Sequence, residues 1–393
     1  MNTSTIADQR PGDVPGPIDE LPVDERHAGV EPARVRRGLI VVCLALVLSA
    51  LAYMLMPFEP APRKGLALLL FIAILWLTEG VHTTLTAVMV PVGALLLGFP
   101  DLTTVKAFAP FADPVIFLFF GGFALATALH VQRLDRKIAF WLMSLSGSHL
   151  GVAALLLFGV TAGLSMWISN TATAAMMLPL AMGIMSHLDR RKEHNTYVFI
   201  LLGIAYSASI GGLGTLVGSP PNAIAARAIH MDFAGWMKVG FPIMLVLMPL
   251  MVLTLWLVFR PHLNRKISVP MEHIPWTARR VLTMLVFGIT ALAWIFGSQV
   301  SEWLGVGAPD TFIAMTAAIA VITLGLASWQ QVSDNTDWGV LFLFGGGLTL
   351  SGLLRSSGAS GVLGDQVAAF LTGAGPFAII LGVTTIIIVL TEF

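Results

Sequence analysis

Long apolar runs separated by short charged clusters constrain this chain more than any other feature. A helix needs about 20 apolar residues to cross the hydrocarbon of a bilayer. Runs of about this length occupy 38–56, 115–131, 197–218, 241–259 and 281–300, and shorter or interrupted runs occupy 65–78, 84–99, 311–328, 338–354 and 377–390. Only 11% of the residues are charged. The sequence therefore predicts an all-α polytopic membrane protein and excludes a water-soluble fold.

The residues between and before these runs narrow the possibilities further. The formal net charge is zero and no basic face is present, so nucleic acid is not a predicted partner. The single cysteine, Cys43, lies in an apolar run and can form no intrachain disulfide. Residues 1–37 hold five prolines and few large apolar side chains, which predicts a disordered tail. This tail lacks the order of a secretory signal, so 38–56 is expected to remain as a membrane anchor.

The distribution of Lys and Arg predicts the orientation. If the tail is cytoplasmic and 138–186 enters the membrane and returns to its own side, fourteen Lys and Arg residues lie inside and six outside. A full crossing by 138–186 would instead move Arg190, Arg191 and Lys192 to the opposite face. We therefore predict a re-entrant hairpin in a multi-pass protein of the inner (plasma) membrane, with a cytoplasmic N-terminus.

An internal repeat links two distant apolar runs. Residues 115–129 match 340–354 at a constant offset of 225, with eight of fifteen positions identical, including the pair Gly121 and Gly122 with Gly346 and Gly347. Chance similarity between apolar segments is the alternative. The copies lie five predicted crossings apart, and an odd number inverts the second copy. This is the inverted-repeat plan of many secondary carriers.

A first polar cluster interrupts the apolar sequence after residue 164. It holds Ser165, Ser169, Asn170, Thr171 and Thr173. Any one hydroxyl could simply bond to its own helix or to a neighbouring one. Ser-Asn-Thr is however typical of a helix N-terminus, which predicts a helix that restarts within the membrane. Non-helical backbone at that depth must be buried in protein or line a cavity.

A second segment, 207–222, predicts a broken helix. It holds four glycines, Gly211, Gly212, Gly214 and Gly218, followed by two prolines and an asparagine, Pro220, Pro221 and Asn222. Glycine permits close approach and proline removes a donor, so carbonyl groups become free for a cation and amides for an anion. The glycine spacing fails the dinucleotide-binding pattern and follows no strand.

No catalytic constellation is found in the sequence. HExxH, CxxC, a Walker lysine and GxSxG are all missing, so we do not predict an enzyme. His82, His130 and His149 could take part in a proton relay, although structural or interfacial histidines are the preferred interpretation. Glu79 and Glu392 are the acids nearest membrane depth, and Glu79 is interpreted first as a helix-end residue.

The segments SMWISNTATAAMMLPLA (165–181) and SASIGGLGTLVGSPPNA (207–223) closely resemble the divalent anion/sodium symporter family of dicarboxylate, citrate and sulfate carriers. Supporting similarity extends through 111–129 and the second repeat copy. The resemblance implies an elevator-type carrier with re-entrant hairpins, surrounded by membrane lipid and usually a homodimer.

The resemblance also implies the site residues. In that family the Ser-Asn-Thr tip of an inward-facing hairpin binds one substrate carboxylate and a sodium ion, which implies these roles for Ser169, Asn170 and Thr171. The predicted substrate-binding set is Ser169, Asn170, Thr171, Pro220, Pro221 and Asn222, and the predicted sodium set is Ser165, Ser169, Asn170, Gly211, Gly212 and Gly214. A second Ser-Asn-Thr hairpin belongs to the family pattern, and the repeat offset leads us to expect it just after Phe393.

These inferences give a predicted organisation and function. The tail of 1–37 is followed by scaffold spans at 38–110, a first repeat core at 111–240 with the hairpin 138–186 and the broken helix 197–222, further scaffold spans and linker at 241–335, and the start of the second repeat at 336–393.

Neither motif holds a Lys or Arg, so sodium and half-helix ends must offset the charge of a dianion. We predict sodium-coupled transport of a small dianion, most simply a C4 dicarboxylate. The alternatives are a sodium-independent anion exchanger, a channel and an intramembrane hydrolase.

Overall fold

A computed structural model describes residues 32–147, 149–267, 272–370 and 375–392, and these residues are helical apart from their connections and one isolated β-bridge between His149 and Lys266. The helices are α1 (Pro32–Leu55), α2 (Pro60–Thr78), α3 (Thr83–Leu97), α4 (Thr104–Phe108), a 3₁₀ turn (Ala109–Ala112), α5 (Pro114–Val131), α6 (Leu134–Ser144), α7 (Leu150–Ser165), α8 (Asn170–Ile184), α9 (His194–Gly212), α10 (Pro220–Ala228), α11 (Phe233–Phe259), α12 (Ala278–Ile295), α13 (Gly297–Leu304), α14 (Pro309–Thr323), α15 (Trp329–Asn335), α16 (Trp338–Ser356), α17 (Ala359–Phe370) and α18 (Pro376–Glu392).

Seven of the described helices are long and apolar enough to cross a membrane, or eight if α13 and α14, which meet at 86°, form one bent span. The prediction of an all-α, multi-pass membrane protein is therefore confirmed. One predicted run, 281–300, is divided in the structure. Helix α12 ends at Ile295 and α13 begins at Gly297, because a glycine followed by the polar Ser298 and Gln299 interrupts the apolar sequence.

The helix starts follow local sequence signals. Asp113 caps α5 by accepting from Val115 N at 3.1 Å, and proline occupies the first helical position. Asp232 caps α11 through Gly235 N at 2.7 Å. At the N-terminus, α1 begins at Pro32, inside the segment 1–37 that was expected to be a disordered tail, because proline is well suited to the first turn of a helix. The rest of that predicted tail, 1–31, lies outside the described residues.

Two compact units divide the chain. One comprises the described residues up to Thr86 together with those from Leu353, and within it α2 packs against α1 and α17. The other is Ala87–Gly352. The predicted division of the chain into tail, scaffold and repeat segments remains a prediction.

The larger unit has two hydrophobic cores. In the first, α5 lies against α14, and Phe119, Trp294 and Val321 are almost fully buried. In the second, α9 packs against α7, α8 and α11, and the rings of Phe158 and Phe199 lie 5.5 Å apart between α7 and α9. Helix α9 is therefore the support on which the α7–α8 pair is held.

The region predicted as the hairpin 138–186 contains more than two helices. Its first residues belong to α6, whose Arg136 and Lys137 leave it with a polar face, and Gly147 then turns the chain with φ +56°. The paired apolar helices are α7 and α8, of 16 and 15 residues. At 1.5 Å per residue each is about 24 Å long or less, short of the roughly 30 Å hydrocarbon layer. A re-entrant path is compatible with these lengths and remains a prediction.

The helix pattern recurs along the chain at nearly the offset found in the sequence. Five successive helix starts recur 224 to 226 residues later: Thr83 and Pro309, Thr104 and Trp329, Pro114 and Trp338, Leu134 and Ala359, Leu150 and Pro376. Two equivalent positions of the repeat, Phe119 and Phe344, also contact each other, with ring centroids 5.0 Å apart. The recurrence thus extends well beyond the fifteen residues that first indicated it.

Polar contacts fix the base of the α7–α8 pair. Leu150 N donates to Arg265 O at 3.0 Å, which satisfies a free amide at the start of α7. The buried Glu193 accepts from Arg265 Nη2 at 2.9 Å and from Thr196 Oγ1 at 3.2 Å, and it lies 3.0 Å from His262 Nδ1. This carboxylate therefore joins the start of α9 to the segment after α11.

Replacing Glu193 by glutamine is expected to destabilise the protein by about 2 kcal/mol, because charge-assisted hydrogen bonds are lost. Burial raises the pKa of Glu193, but the hydrogen bonds from His262, Arg265 and Thr196 together hold that pKa below its ordinary value. The carboxylate thus contributes stability above its ordinary pKa and loses it as the pH falls through the lowered value. Thermal unfolding in detergent across the acidic range should show this loss in the wild type and a weaker pH dependence in Glu193→Gln.

The half-exposed pair of Glu272 and Arg133 provides the control for this measurement. Glu272→Gln should cost less than about 1 kcal/mol, because ion pairs at the surface are worth little. Equal effects of Glu193→Gln and Glu272→Gln would contradict the role given to Glu193.

Candidate functional site

The tip between α7 and α8 is a four-residue connection. Helix α7 ends at Ser165 and α8 begins at Asn170, with Ser169 as the capping residue whose Oγ accepts from Ala172 N at 3.3 Å. Because the first amides of a helix have no partner within it, the start of α8 presents free N–H groups and the positive end of a helix dipole. Such an end is a ready binding place for an anion.

The second segment breaks as the sequence pattern indicates. Helix α9 ends at Gly212 and α10 begins at Pro220. The Thr215 hydroxyl donates to Met166 O in the tip and accepts from Gly218 N at 3.1 Å. Asn222 Nδ2 lies 2.7 Å from both Gly212 O and Thr215 O. The loop is therefore tied both to itself and to the tip.

Three oxygen atoms converge where the tip meets α9. The fully buried Ser165 Oγ lies 2.7 Å from Asn170 Oδ1 and 2.6 Å from Ala208 O. A serine hydroxyl has one hydrogen to donate, whereas both neighbours are acceptors. With the carboxamide oriented as in the structure, the cluster has more lone pairs than hydrogens. This is a favourable setting for a hard cation, which prefers oxygen ligands.

Close backbone approach brings this cluster together. A Cβ atom at Gly212 would lie 2.5 Å from Asn170 Oδ1 and 3.0 Å from Gly218 O. A Cβ atom at Gly211 would overlap the backbone of Ala162. Glycine at these two positions lets the carboxamide of Asn170 and the backbone of α7 lie directly against the end of α9.

The predicted site residues divide into groups. Ser165, Asn170 and Gly212 are brought into direct proximity, and Gly211 and Gly214 lie beside the backbone of α7 and the side chain of Met166. Pro220 and Pro221 open α10, and the buried Asn222 uses its amide group within the loop. Ser169 and Thr171 are exposed at the tip. The assignment of these residues to substrate and sodium remains a prediction.

Two residues that the sequence interpretation did not single out help to hold the tip. Thr215 bonds to the tip backbone. The sequence signal for this role was a hydroxyl residue placed between Gly214 and Gly218, within the predicted break of the helix. Trp167, within the tip, stacks on Phe233 and Trp294, with 6.1 Å between ring centroids in each pair. These aromatic contacts join the tip to α11 and α12.

An open groove of about 540 Å³ lies beside the tip between α8 and α9. Its polar side chains are Asn170, Thr171 and Ser209, and the rest of its lining is Ala, Leu and Ile. No Lys or Arg is among these lining residues. Among the described residues, no three His, Cys, Asp or Glu side chains are grouped closely enough to hold a metal ion by themselves. Neutral oxygens and helix amides are thus the groups this groove offers to ions.

Sequence comparison shows that the chain is similar to proteins named as transporters. The chain is 50% identical to an uncharacterized transporter of Haemophilus influenzae over 368 residues, which cover 92% of this chain and 79% of that protein. It is 38% identical to an uncharacterized transporter of Methanocaldococcus jannaschii, over 85% of this chain and 76% of that protein. It is 30% identical to the sodium-dependent dicarboxylate transporter SdcS of Staphylococcus saprophyticus, over 90% of this chain and 74% of that protein.

A family profile adds the wider assignment. The citrate transporter (CitMHS) profile matches residues 73–393. With the similarity to SdcS, this match confirms the relationship to divalent anion carriers that the two motifs predicted. The chain belongs to the citrate transporter family.

Proposed function

We propose that this protein carries a small dianion, most simply a C4 dicarboxylate, together with sodium. The observation that carries the proposal is the cluster of Ser165 Oγ, Asn170 Oδ1 and Ala208 O, in which three oxygens share one hydroxyl hydrogen beside the start of α8. Sodium supplies the positive charge that this cluster lacks.

The substrate then lies in the groove next to the ion. One carboxylate faces the first turn of α8, where Asn170 and Thr171 line the groove and the helix dipole is positive. Since no Lys or Arg lines the groove, the dianion needs the sodium ion nearby. Sodium binds first and organises the tip, and the substrate completes the site. Coupling follows because each ion stabilises the binding of the other.

The inverted repeat and an elevator movement are parts of the same proposal. Gly121 of α5 lies against Ala314 of α14, and its equivalent Gly346 of α16 lies against Ala87 of α3. Helices α3 and α14 begin at equivalent places in the recurring pattern. Each copy thus packs against the other in a reciprocal manner, as expected for two halves related by a two-fold axis. The contact of Phe119 with Phe344 supports the same relation, because residues at equivalent positions can meet at a two-fold axis.

The proposal also includes an inner-membrane location with a cytoplasmic N-terminus, and contacts among the basic segments support their placement on one face. Arg280 Nε donates to Gln132 O at 2.8 Å, Arg133 pairs with Glu272, and Arg265 pairs with Glu193. Segments predicted to lie on one face therefore contact one another. We also propose a homodimer in lipid, for which the exposed apolar side chains of α11 provide a surface.

The names of two relatives give different amounts of support to the proposed function. SdcS is named a sodium-dependent dicarboxylate transporter, which supports both the ion and the substrate class. The Haemophilus influenzae protein is named only as a transporter, although its identity to this chain is higher. The substrate and the coupling ion are therefore proposed from the site first and from SdcS second.

Uptake of labelled succinate into proteoliposomes tests the proposal. An inward sodium gradient should drive accumulation at least tenfold above that with choline, and citrate and sulfate should be compared as competing anions. Accumulation that is equal with sodium and choline would contradict sodium coupling. Rapid counter-flow in choline, with no net uptake, would identify a sodium-independent exchanger instead.

A further inference from the structure

A second cavity also reaches the tip. It has a volume of about 140 Å³ and is lined by polar and apolar side chains of α5, α6, the tip, α8 and the α15–α16 region. We call it the acidic cavity and define it by Thr127, His130, Asp135, Ser169, Asn335 and Asp337. It is distinct from the groove beside Asn170, because Ser169 lines the acidic cavity whereas Asn170 and Thr171 line the groove.

The charge of the acidic cavity is negative. Asp135 is almost fully buried, with Oδ2 2.9 Å from His130 Nδ1 and Oδ1 accepting from Arg136 N at 2.7 Å. Asp337 contributes a second carboxylate and accepts from Val340 N at 3.0 Å. No Lys or Arg side chain lines the cavity. Two carboxylates and one histidine leave a net negative charge whether His130 is neutral or protonated.

Thr127 provides an independent observation that points to a ligand site. Its side chain is 2% exposed and its Oγ1 has no hydrogen-bond partner, although it lines a cavity with room for several water-sized groups. A buried hydroxyl without a partner costs free energy, and native proteins rarely leave one unsatisfied. An oxygen ligand at this position favours a cation over the anionic substrate, because the two carboxylates that line the same cavity repel an anion.

We propose that the acidic cavity binds a sodium ion separate from the one at Asn170, with oxygens of Thr127, Ser169 and the carboxylates of Asp135 and Asp337 as its ligands. Hydroxyl and carboxylate oxygens are the ligands that hard cations prefer. The role in transport rests on the proposed function, since Ser169 joins this cavity to the substrate-binding tip. A sodium ion here fixes Ser169 from one cavity while the substrate contacts its neighbours from the other.

Sodium binding without substrate tests the proposal on the purified full chain. The thermal unfolding midpoint in detergent is measured as sodium chloride replaces choline chloride at constant ionic strength and constant pH. The Asn170→Ala variant, which disables the tip site, should keep a sodium-dependent rise in the midpoint. Adding Thr127→Val or Asp337→Asn to that variant should shift the half-saturating sodium concentration upward at least fivefold. Asp334→Asn, an exposed carboxylate outside the cavity, should leave it unchanged.

Thr127→Val also separates loss of the ligand from loss of the fold. Valine keeps the shape of threonine and removes the unsatisfied hydroxyl, so in choline chloride this variant should unfold at the same temperature as the wild type or higher. An Asn170→Ala variant with no remaining sodium response would overturn the second site while leaving the proposed function intact. A response that is unchanged by both cavity substitutions, or that follows pH with no dependence on sodium, would also overturn it. Loss of sodium-driven uptake in the wild type would instead contradict the proposed function.

Discussion

Replacing Asn170 by alanine is expected to reduce sodium affinity roughly ten- to a hundredfold and to lower sodium-driven uptake accordingly. The substitution removes Oδ1, which lies 2.7 Å from Ser165 Oγ, and so leaves the oxygen cluster with two members. A hydrogen bond or ligand contact to a charged group is worth about 1.5–3 kcal/mol, and each 1.4 kcal/mol is about tenfold in affinity. Ser165 Oγ and Ala208 O cannot replace it, because both already belong to the cluster.

The measurement is uptake of labelled dicarboxylate at increasing external sodium. Asn170→Ala should shift half-saturation to higher sodium at a fixed substrate concentration. Asn264→Ala provides the matched control, because Asn264 is an exposed asparagine in the segment after α11, away from the tip. A sodium half-saturation for Asn170→Ala equal to that of Asn264→Ala would refute the role of the oxygen cluster.

Asn170→Asp distinguishes the ion from the substrate. A carboxylate at this position keeps the oxygen and adds negative charge beside the proposed sodium ion, which should tighten sodium binding. The same charge lies at the edge of the groove and should weaken binding of a dianion. Opposite changes in sodium half-saturation and substrate half-saturation are therefore expected, whereas a purely structural role of Asn170 would weaken both.

The parts of the site that could be predicted from the sequence are those that depend on short-range signals. Ser169 followed by Asn170 is typical of a helix start, and α8 begins there because a serine side chain can accept from the first-turn amides. The break after Gly212 is equally local, since Pro220 cannot donate and is suited to the first position of a new helix. Such signals operate within a few residues and need no knowledge of the fold.

The contacts between the two segments could not be predicted in the same way. Ser165 reaches Ala208 O only because α7 packs along α9, which depends on side chains such as Phe158 and Phe199 far from the motif. The partners of Asn222 are another example. Its sequence position favours a substrate ligand, whereas its amide group bonds to Gly212 O and Thr215 O. Tertiary packing determines which of several polar groups is left to bind an ion.

The two cavities at the tip illustrate the same limit. Ser169 lines the acidic cavity, whereas Asn170 and Thr171 line the groove, although the three residues are consecutive. A sequence motif treats them as one unit, but successive residues at a helix start point in different directions. The acidic cavity is also lined by Asn335 and Asp337, which no local pattern connects with the tip.

Replacing Gly211 by alanine is expected to destabilise the protein by about 3 kcal/mol or more. A Cβ atom there would lie 2.5 Å from Ala162 Cα and 2.8 Å from its carbonyl carbon, and it would come closer still to the carbonyl oxygen. Added atoms in a packed interior cost about 1–3 kcal/mol when neighbours can move. Here the neighbour is helix backbone, so relief requires α7 and α9 to separate. This separation would also withdraw Ala208 O from Ser165.

Gly163→Ala is the matched control, because Gly163 follows Ala162 in α7 and an added Cβ there meets nothing within 4 Å. It should be neutral or stabilising by up to about 1 kcal/mol, since alanine has the higher helix propensity. Thermal unfolding in detergent compares the two variants, and sodium titration of uptake reports the cluster. Gly211→Ala should lower the midpoint and weaken sodium dependence together. If Gly211→Ala unfolds like Gly163→Ala, the packing of α7 on α9 does not depend on this close approach. The oxygen cluster would then be held in place by the loop contacts of Thr215 and Asn222 instead.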